Sequence, residues 1–233
     1  MKNIKFVTGL LAVLMLYGLS FGGEIKMLDN IKWLGHSSVL IERDGKNIYV
    51  DPWKLKTTGK KADLVLITHS HHDHYSPADI KAIAGAGTVV AGPADVLANE
   101  QTGIKKVISP GKEMDLGWVK IAAVPAYNLT KQFHPKANGW VGFIIKFPDA
   151  VIYVTGDTDF IPEMKNVKAD IVILPVGGTY TMDAKEAAQA VNTISPKAAI
   201  PIHFGDIVGS RADAEKFASL VKTAQVKILT PIQ

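Results

Sequence analysis

Four histidines and one aspartate crowd into His69-Ser70-His71-His72-Asp73-His74. Neutral imidazole and carboxylate are nitrogen and oxygen donors suited to zinc, iron or manganese. Alternate residues of an extended stretch share a side, so His69 and His71 can reach one ion. Asp73 and His74 follow as the chain turns, where they can reach a second. His72, between these pairs, faces away. A histidine-rich tract of this kind can also be a solvated segment that holds metal loosely. Such tracts sit in polar sequence, whereas this one follows the apolar run Leu64–Thr68 and precedes the helix start Ser76-Pro77-Ala78-Asp79. The pattern reads as a built site.

The elements that must position this cluster follow from periodicity and turn chemistry. Ile31–Leu34, Ser38–Glu42 and Asn47–Val50 read as an antiparallel start, with Asp44-Gly45 as a hairpin turn. Leu64–Thr68 reads as a buried strand. Ser76 suits an N-cap, Pro77 the first helical position and Asp79 the positive end of the helix dipole. Thr88–Ala91 and Lys106–Ile108 read as strands, with a short helix over Pro93–Asn99 between them. In the second half, Trp118–Val124, Val141–Phe147, Val151–Thr155, Ile171–Val176, Ala198–Ile202 and Val226–Leu229 read as strands. Helices are expected from Asp183 to Ile194, with Asp183 and Glu186 spaced as a capping box, and from Asp213 to Thr223. Hairpins followed by strand–helix alternation, loosely similar in the two halves, suggest two sheets packed together and covered by helices in one domain.

Composition narrows the chemistry. The 233 residues are 47% hydrophobic and 21% charged, as expected of a chain with a real core. With no cysteine, disulfides, sulfur-ligated zinc and cysteine nucleophiles are excluded. The formal charge of +4 is modest, and Lys60-Lys61 and Lys105-Lys106 are the only adjacent basic pairs, so no nucleic-acid partner is indicated. Lys2 and Lys5 precede an apolar run from Phe6 to Leu19, followed by Ser20, Gly22 and Gly23. This resembles a secretory signal peptide cleaved near Gly22 or Gly23. The run is shorter than the roughly 20 residues of a comfortable membrane span. Residues 1–23 are therefore expected to be a leader or an uncleaved membrane anchor, and residues 24–233 the functional domain. Export to the periplasm or beyond is expected, with membrane contact only through an uncleaved leader; no cysteine is present for a lipoprotein anchor.

His69-x-His71-x-Asp73-His74 resembles the HxHxDH motif of the metallo-β-lactamase fold superfamily. Trp33-Leu34-Gly35-His36-Ser37-Ser38 and Asp51-Pro52 resemble the opening of its ascorbate-6-phosphate lactonase-like branch. Thr155-Gly156-Asp157-Thr158 and Pro201-Ile202-His203-Phe204-Gly205 resemble two later motifs of that branch, in the same order. The resemblance implies an α/β four-layer αββα sandwich of two mixed sheets flanked by helices. It implies two divalent metal ions, zinc before manganese or iron. His69 and His71 would hold the first ion, Asp73, His74 and His203 the second, with Asp157 bridging. Asp73 would also orient the nucleophile. The activity implied is metal-dependent hydrolysis of an ester, lactone or phosphoester in a small-molecule substrate. A phosphodiesterase and a non-catalytic exported metal-binding protein are the alternatives.

The third ligand of the first ion departs from the family pattern. Asn128 stands in Val124-Pro125-Ala126-Tyr127-Asn128 where a histidine is expected, and His134 lies six residues on. His134 is the better donor, an imidazole against a carboxamide; Asn128 would then orient a ligand or touch substrate. His36 and Asp51 read either as a hydrogen-bonded pair fixing the first strands, or separately. In the second case Asp51 holds a ligand histidine and His36 donates a proton or contacts substrate. Tyr180 reads as a substrate contact or as a packed aromatic.

Overall fold

The computed structural model describes residues 25–56 and 59–232; the expected leader lies outside the described residues. Six strands from the first half of the chain lie side by side in chain order: β1 (Ile31–Gly35), β2 (Ser38–Arg43), β3 (Lys46–Val50), β4 (Ala62–Leu66), β5 (Ala84–Gly92) and β6 (Ile104–Val107). Seven more form a second sheet in the same manner: β7 (Glu113–Asp115), β8 (Lys120–Pro125), β9 (Val141–Lys146), β10 (Val151–Val154), β11 (Ile171–Pro175), β12 (Ala198–Ile202) and β13 (Gln225–Val226). Each sheet begins antiparallel and becomes parallel, at β3–β4 in the first and at β10–β11 in the second. The loose similarity of the two halves in sequence is thus a repeated sheet plan.

Strand alternation decides which side chains fill which layer. Ile48, Val50, Leu64 and Leu66 face the second sheet in the main core, while Tyr49, Val65 and Ile67 face outward into a smaller cluster with Ile80, Ile83, Val96 and Leu97. Those last four belong to helices α1 (Pro77–Ile83) and α2 (Ala94–Asn99), which cover the first sheet. Helices α3 (Ala184–Ile194) and α4 (Arg211–Leu220) bury Ala187, Val191, Ala214 and Phe217 against the second sheet. Four layers result, helix–sheet–sheet–helix, as expected.

Caps explain where the helices begin. Ser76 accepts from the Asp79 amide, and Asp183 accepts from the amides of Lys185 and Glu186. Only half of the expected box at Asp183 forms, because Glu186 Oε1 accepts the Phe160 amide instead. The last helix is capped by Ser210 and starts at Arg211, two residues earlier than Asp213: Asp213 is its third residue, and its carboxylate accepts the Ser210 amide at 2.8 Å. That helix ends at Leu220 and the final strand shrinks to Gln225–Val226, short of the extents read from periodicity. Strand β7 was not foreseen, since Glu113-Met114-Asp115 is too short and polar to carry an alternation signal.

Candidate metal centre

Strands β1, β3 and β4 point one way in the first sheet, and β8, β10, β11 and β12 are mutually co-directed in the second. The candidate residues follow these strands: His36 after β1, Asp51 after β3, His69–His74 after β4, His134 after β8, Asp157 after β10 and His203 after β12. The reversed strands β2 and β9 deliver none of them. Two hydrogen bonds join the sheets at this edge, His203 N–H to His36 O at 2.8 Å and Val141 N–H to Thr68 O at 3.1 Å.

Three sets of side chains could each hold a cation, their ligand atoms lying within 4.8 Å of one another: His69, His71 and His134; His36, Asp73, His74 and His203; and His69, His74 and Asp157. Of the chain's seven histidines only His72 stands outside these sets; it is exposed, at the mouth of the cleft. Asp157 lies between the sets. Its Oδ1 is 3.3 Å from His74 Nε2, and its Oδ2 is 3.4 Å from His134 Nε2 and 3.2 Å from His203 Nε2.

Hydrogen bonds behind the cluster fix the imidazole tautomers. Asp51, an acceptor when ionised, receives the Thr68 amide at 2.8 Å and the Thr68 hydroxyl at 2.7 Å. It also receives His74 Nδ1–H at 2.8 Å, which leaves His74 Nε2 as a lone pair directed into the site. The Thr68 hydroxyl, its proton committed to Asp51, accepts His69 Nδ1–H at 2.9 Å. His69 Nε2 is bare in turn and faces His71 Nδ1 at 3.1 Å. Asn128 Oδ1 accepts both the His134 amide and His134 Nδ1–H at 3.0 Å, so His134 Nε2 is the free donor.

Among the described residues, no hydrogen-bond partner meets the buried His74 Nε2, His134 Nε2 or either ring nitrogen of His203. The lone pairs of His74 and His134, turned toward Asp157 oxygens at 3.3 and 3.4 Å, repel them unless a cation lies between. The donor set therefore fits divalent metal, all nitrogen and oxygen with no thiolate. Burial, with His74 and His134 among its neighbours, holds His69 well below the usual imidazole range, and burial lowers His71. Both are thus neutral and able to bind metal. His74 is also desolvated, yet the charges of Asp157 and Asp51 push it well above the usual value.

Several sequence readings change in detail. His36 and Asp51 are not a pair: His36 Nε2 lies 3.0 Å from Asp73 Oδ2, while Asp51 serves His74 and Thr68. Asn128 Oδ1 is taken up by His134, and its amide nitrogen donates to Asp159 Oδ1 at 2.9 Å and to Tyr180 O at 3.0 Å. Tyr180 lines the cleft and packs edge-on against Phe133 at 4.6 Å. Sequence reading missed Thr68, Asp159 and Trp140, whose ring sits 4.9 and 4.8 Å from those of His69 and His71. Thr68 was legible as the residue adjoining His69 at the strand end; Trp140 carried no signal.

Backbone strain concentrates here. His36, Asp51 and His203 adopt φ values of 44°, 47° and 60°, a region that side chains with a Cβ seldom occupy. Each is held by the tertiary contacts above.

A family model for the beta-lactamase superfamily domain matches residues 30–203. The chain belongs to this family. A UPF0173 metal-dependent hydrolase of Caldivirga maquilingensis is 37% identical over 207 residues, covering 83% of this chain and 89% of its own length. A crystal structure from Parabacteroides distasonis, of a protein provisionally assigned as a metal-dependent hydrolase, superposes with a TM-score of 0.78 at 34% identity, covering 87% of this chain and 93% of that one. The metallo hydrolase Igni18 of Ignicoccus hospitalis superposes with a TM-score of 0.73 at 26% identity, over 87% of this chain and 95% of its own. The chain is a metal-dependent hydrolase of the metallo-β-lactamase superfamily.

Proposed function

We propose that the protein is a dinuclear hydrolase that cleaves an ester, lactone or phosphoester bond in a small molecule. His69, His71 and His134 would hold one ion, Asp73, His74 and His203 the other, and Asp157 would bridge them. The observation that carries this reading is the position of Asp157, whose oxygens face His134 from one set and His74 and His203 from the other. Zinc suits the donors best, with manganese or iron as alternatives. Such a pair, when bound, supplies Lewis acidity and a water acidic enough to yield hydroxide near neutral pH.

The chain's own residues do the rest. Although burial opposes it, the His36 hydrogen bond and the neighbouring His74 hold Asp73 below the usual carboxylate range. Asp73 therefore stays ionised and can accept a hydrogen bond from a nucleophilic water, fixing its direction. Burial lowers His36, so its neutral Nε2–H donates to Asp73; this favours a positioning role over direct proton donation. Asp51, Thr68 and Asn128 keep three imidazoles in the tautomers that ligation requires.

Asp157→Ala tests the proposal. Against a panel of esters, lactones and phosphodiesters, kcat/KM should fall more than about 100-fold, beyond what loss of an outer hydrogen bond costs. Intact hydrolysis by this variant would overturn it. The reading includes export: Lys2, Lys5 and the apolar run to Leu19 support a leader. N-terminal sequencing of the mature protein should start near Gly23, and a chain retaining Met1 would contradict cleavage.

A further inference from the structure

The cleft over the cluster is small, about 250 Å³. That lies below the usual volume of sites for drug-sized ligands, roughly 300–1,000 Å³. Its floor is the histidine and aspartate cluster, and its walls are Phe133, Tyr180 and Ile207. Phe133 is 45% and Ile207 38% exposed. They come from separate loops, and single exposed apolar residues are ordinary. Two converging on one polar cleft are not, because they narrow a charged site with surfaces that cannot hydrogen-bond.

Both walls are held in place. The Phe133 ring abuts Tyr180 edge-on at 4.6 Å. The loop bearing Ile207 is closed by Gly205 N–H to Val208 O at 3.0 Å and tied across the surface by Asp206 to Lys54 at 2.9 Å. Among the described residues, neither Lys nor Arg lines the cleft. The two lysines beside this rim are engaged, Lys54 with Asp206 and Lys131 with Asp159. Phosphate and carboxylate groups remote from the reacting bond are ordinarily recognised by Arg or Lys, and here none is offered.

We propose that the substrate is an uncharged carboxylic ester or lactone carrying a short apolar chain, seated against Phe133 and Ile207 with its carbonyl at the cluster. This rests on the hydrolytic reading above and narrows it. Water's oxygen forms a bond to the carbonyl carbon, and the bond from that carbon to the alkoxy oxygen breaks. The alkoxy oxygen leaves with the electron pair and takes up the proton that water gives up. An ester yields an acid and an alcohol, and a lactone a single hydroxy acid.

The test is calorimetric titration of the metal-loaded protein with alkyl hydroxamates, alongside turnover of 4-nitrophenyl esters. Each methylene fully buried is worth about 3- to 4-fold in affinity. Hexanohydroxamate should therefore bind at least about 10-fold more tightly than acetohydroxamate, allowing for partial burial. Phe133→Ser and Ile207→Ser should each cut that ratio about 3-fold or more, whereas Ile104→Ser, on the exposed edge strand β6, should keep it. The hexanoate ester should be turned over in preference to the acetate and to bis(4-nitrophenyl) phosphate. Hydroxamate affinity that does not rise with chain length, or preference for the phosphodiester, overturns this inference while leaving a hydrolase in place. A rising affinity with no turnover of ester, lactone or phosphodiester sinks the hydrolytic reading itself.

Discussion

Asn128 shows how a neutral side chain can govern an imidazole. Its Oδ1 holds His134 Nδ1–H and its amide nitrogen reaches Asp159 and Tyr180, so all its polar valences near the site are committed. Asn128→Ala should weaken the first metal site about 10- to 100-fold, read by competition with a chromophoric chelator. Asn128→Asp keeps an acceptor for His134 but sets a second carboxylate 2.9 Å from Asp159 Oδ1, so it should also weaken binding. Wild-type affinity in both variants would contradict the orienting role. Protonation makes a further prediction. Folding holds His36, His69 and His71 below the usual imidazole range, burial first in each case. The unfolded chain therefore takes up protons below about pH 6.5 that the folded chain does not. His74 is shifted upward, and its contribution is fully present below that pH and lost only as pH rises through its folded value. Metal-free protein should thus lose stability as pH falls from 7 toward 5. A urea midpoint that rises on acidification would refute this. At this scale the sequence was legible where a motif was dense: every proposed ligand is among the residues brought together. The hydrogen-bonded supports were not, because Thr68–Asp51 and Asn128–Asp159 pair residues 17 and 31 positions apart.

The elements bring these residues to one edge because β1, β3 and β4 of the first sheet and β8, β10 and β12 of the second lead into the loops that carry them, and those loops are tightly packed. Gly177, just beyond β11, is the tightest point: a Cβ added there would lie 2.3 Å from the His203 carbonyl oxygen. Gly177→Ala should displace the β12 end that carries His203, costing about 1–3 kcal/mol as overpacking does and lowering affinity for the second metal more than for the first. Denaturant melts and a two-site titration would check it, and an unchanged variant would show that the loop yields. Gly156 plays a related part after β10, with φ of 65° and Val141 O 2.9 Å from an added Cβ. Strand positions were readable from apolar runs, because burial on both faces leaves little alternative. Helix and strand ends were less so: the start of α4 depended on Ser210 competing with Asp213 for the cap, and the final strand on how far β12 offers partners.

At the scale of the molecule, two sheets of like plan hold the two halves of the site. The first sheet carries His36, Asp51 and His69–His74, and the second His134, Asp157 and His203. Metal would therefore cross-link the sheets through side chains, adding to the His203–His36 and Val141–Thr68 backbone bonds. Because ions bound only by the folded chain stabilise it by mass action, chelation should lower the melting temperature, and restoring zinc should recover it. Equal melting temperatures with and without metal would mean that the ions are not held between the sheets. If both halves of the site bind metal as proposed, elemental analysis of the metal-loaded, desalted protein should find two ions per chain; one or fewer would rule out a dinuclear centre.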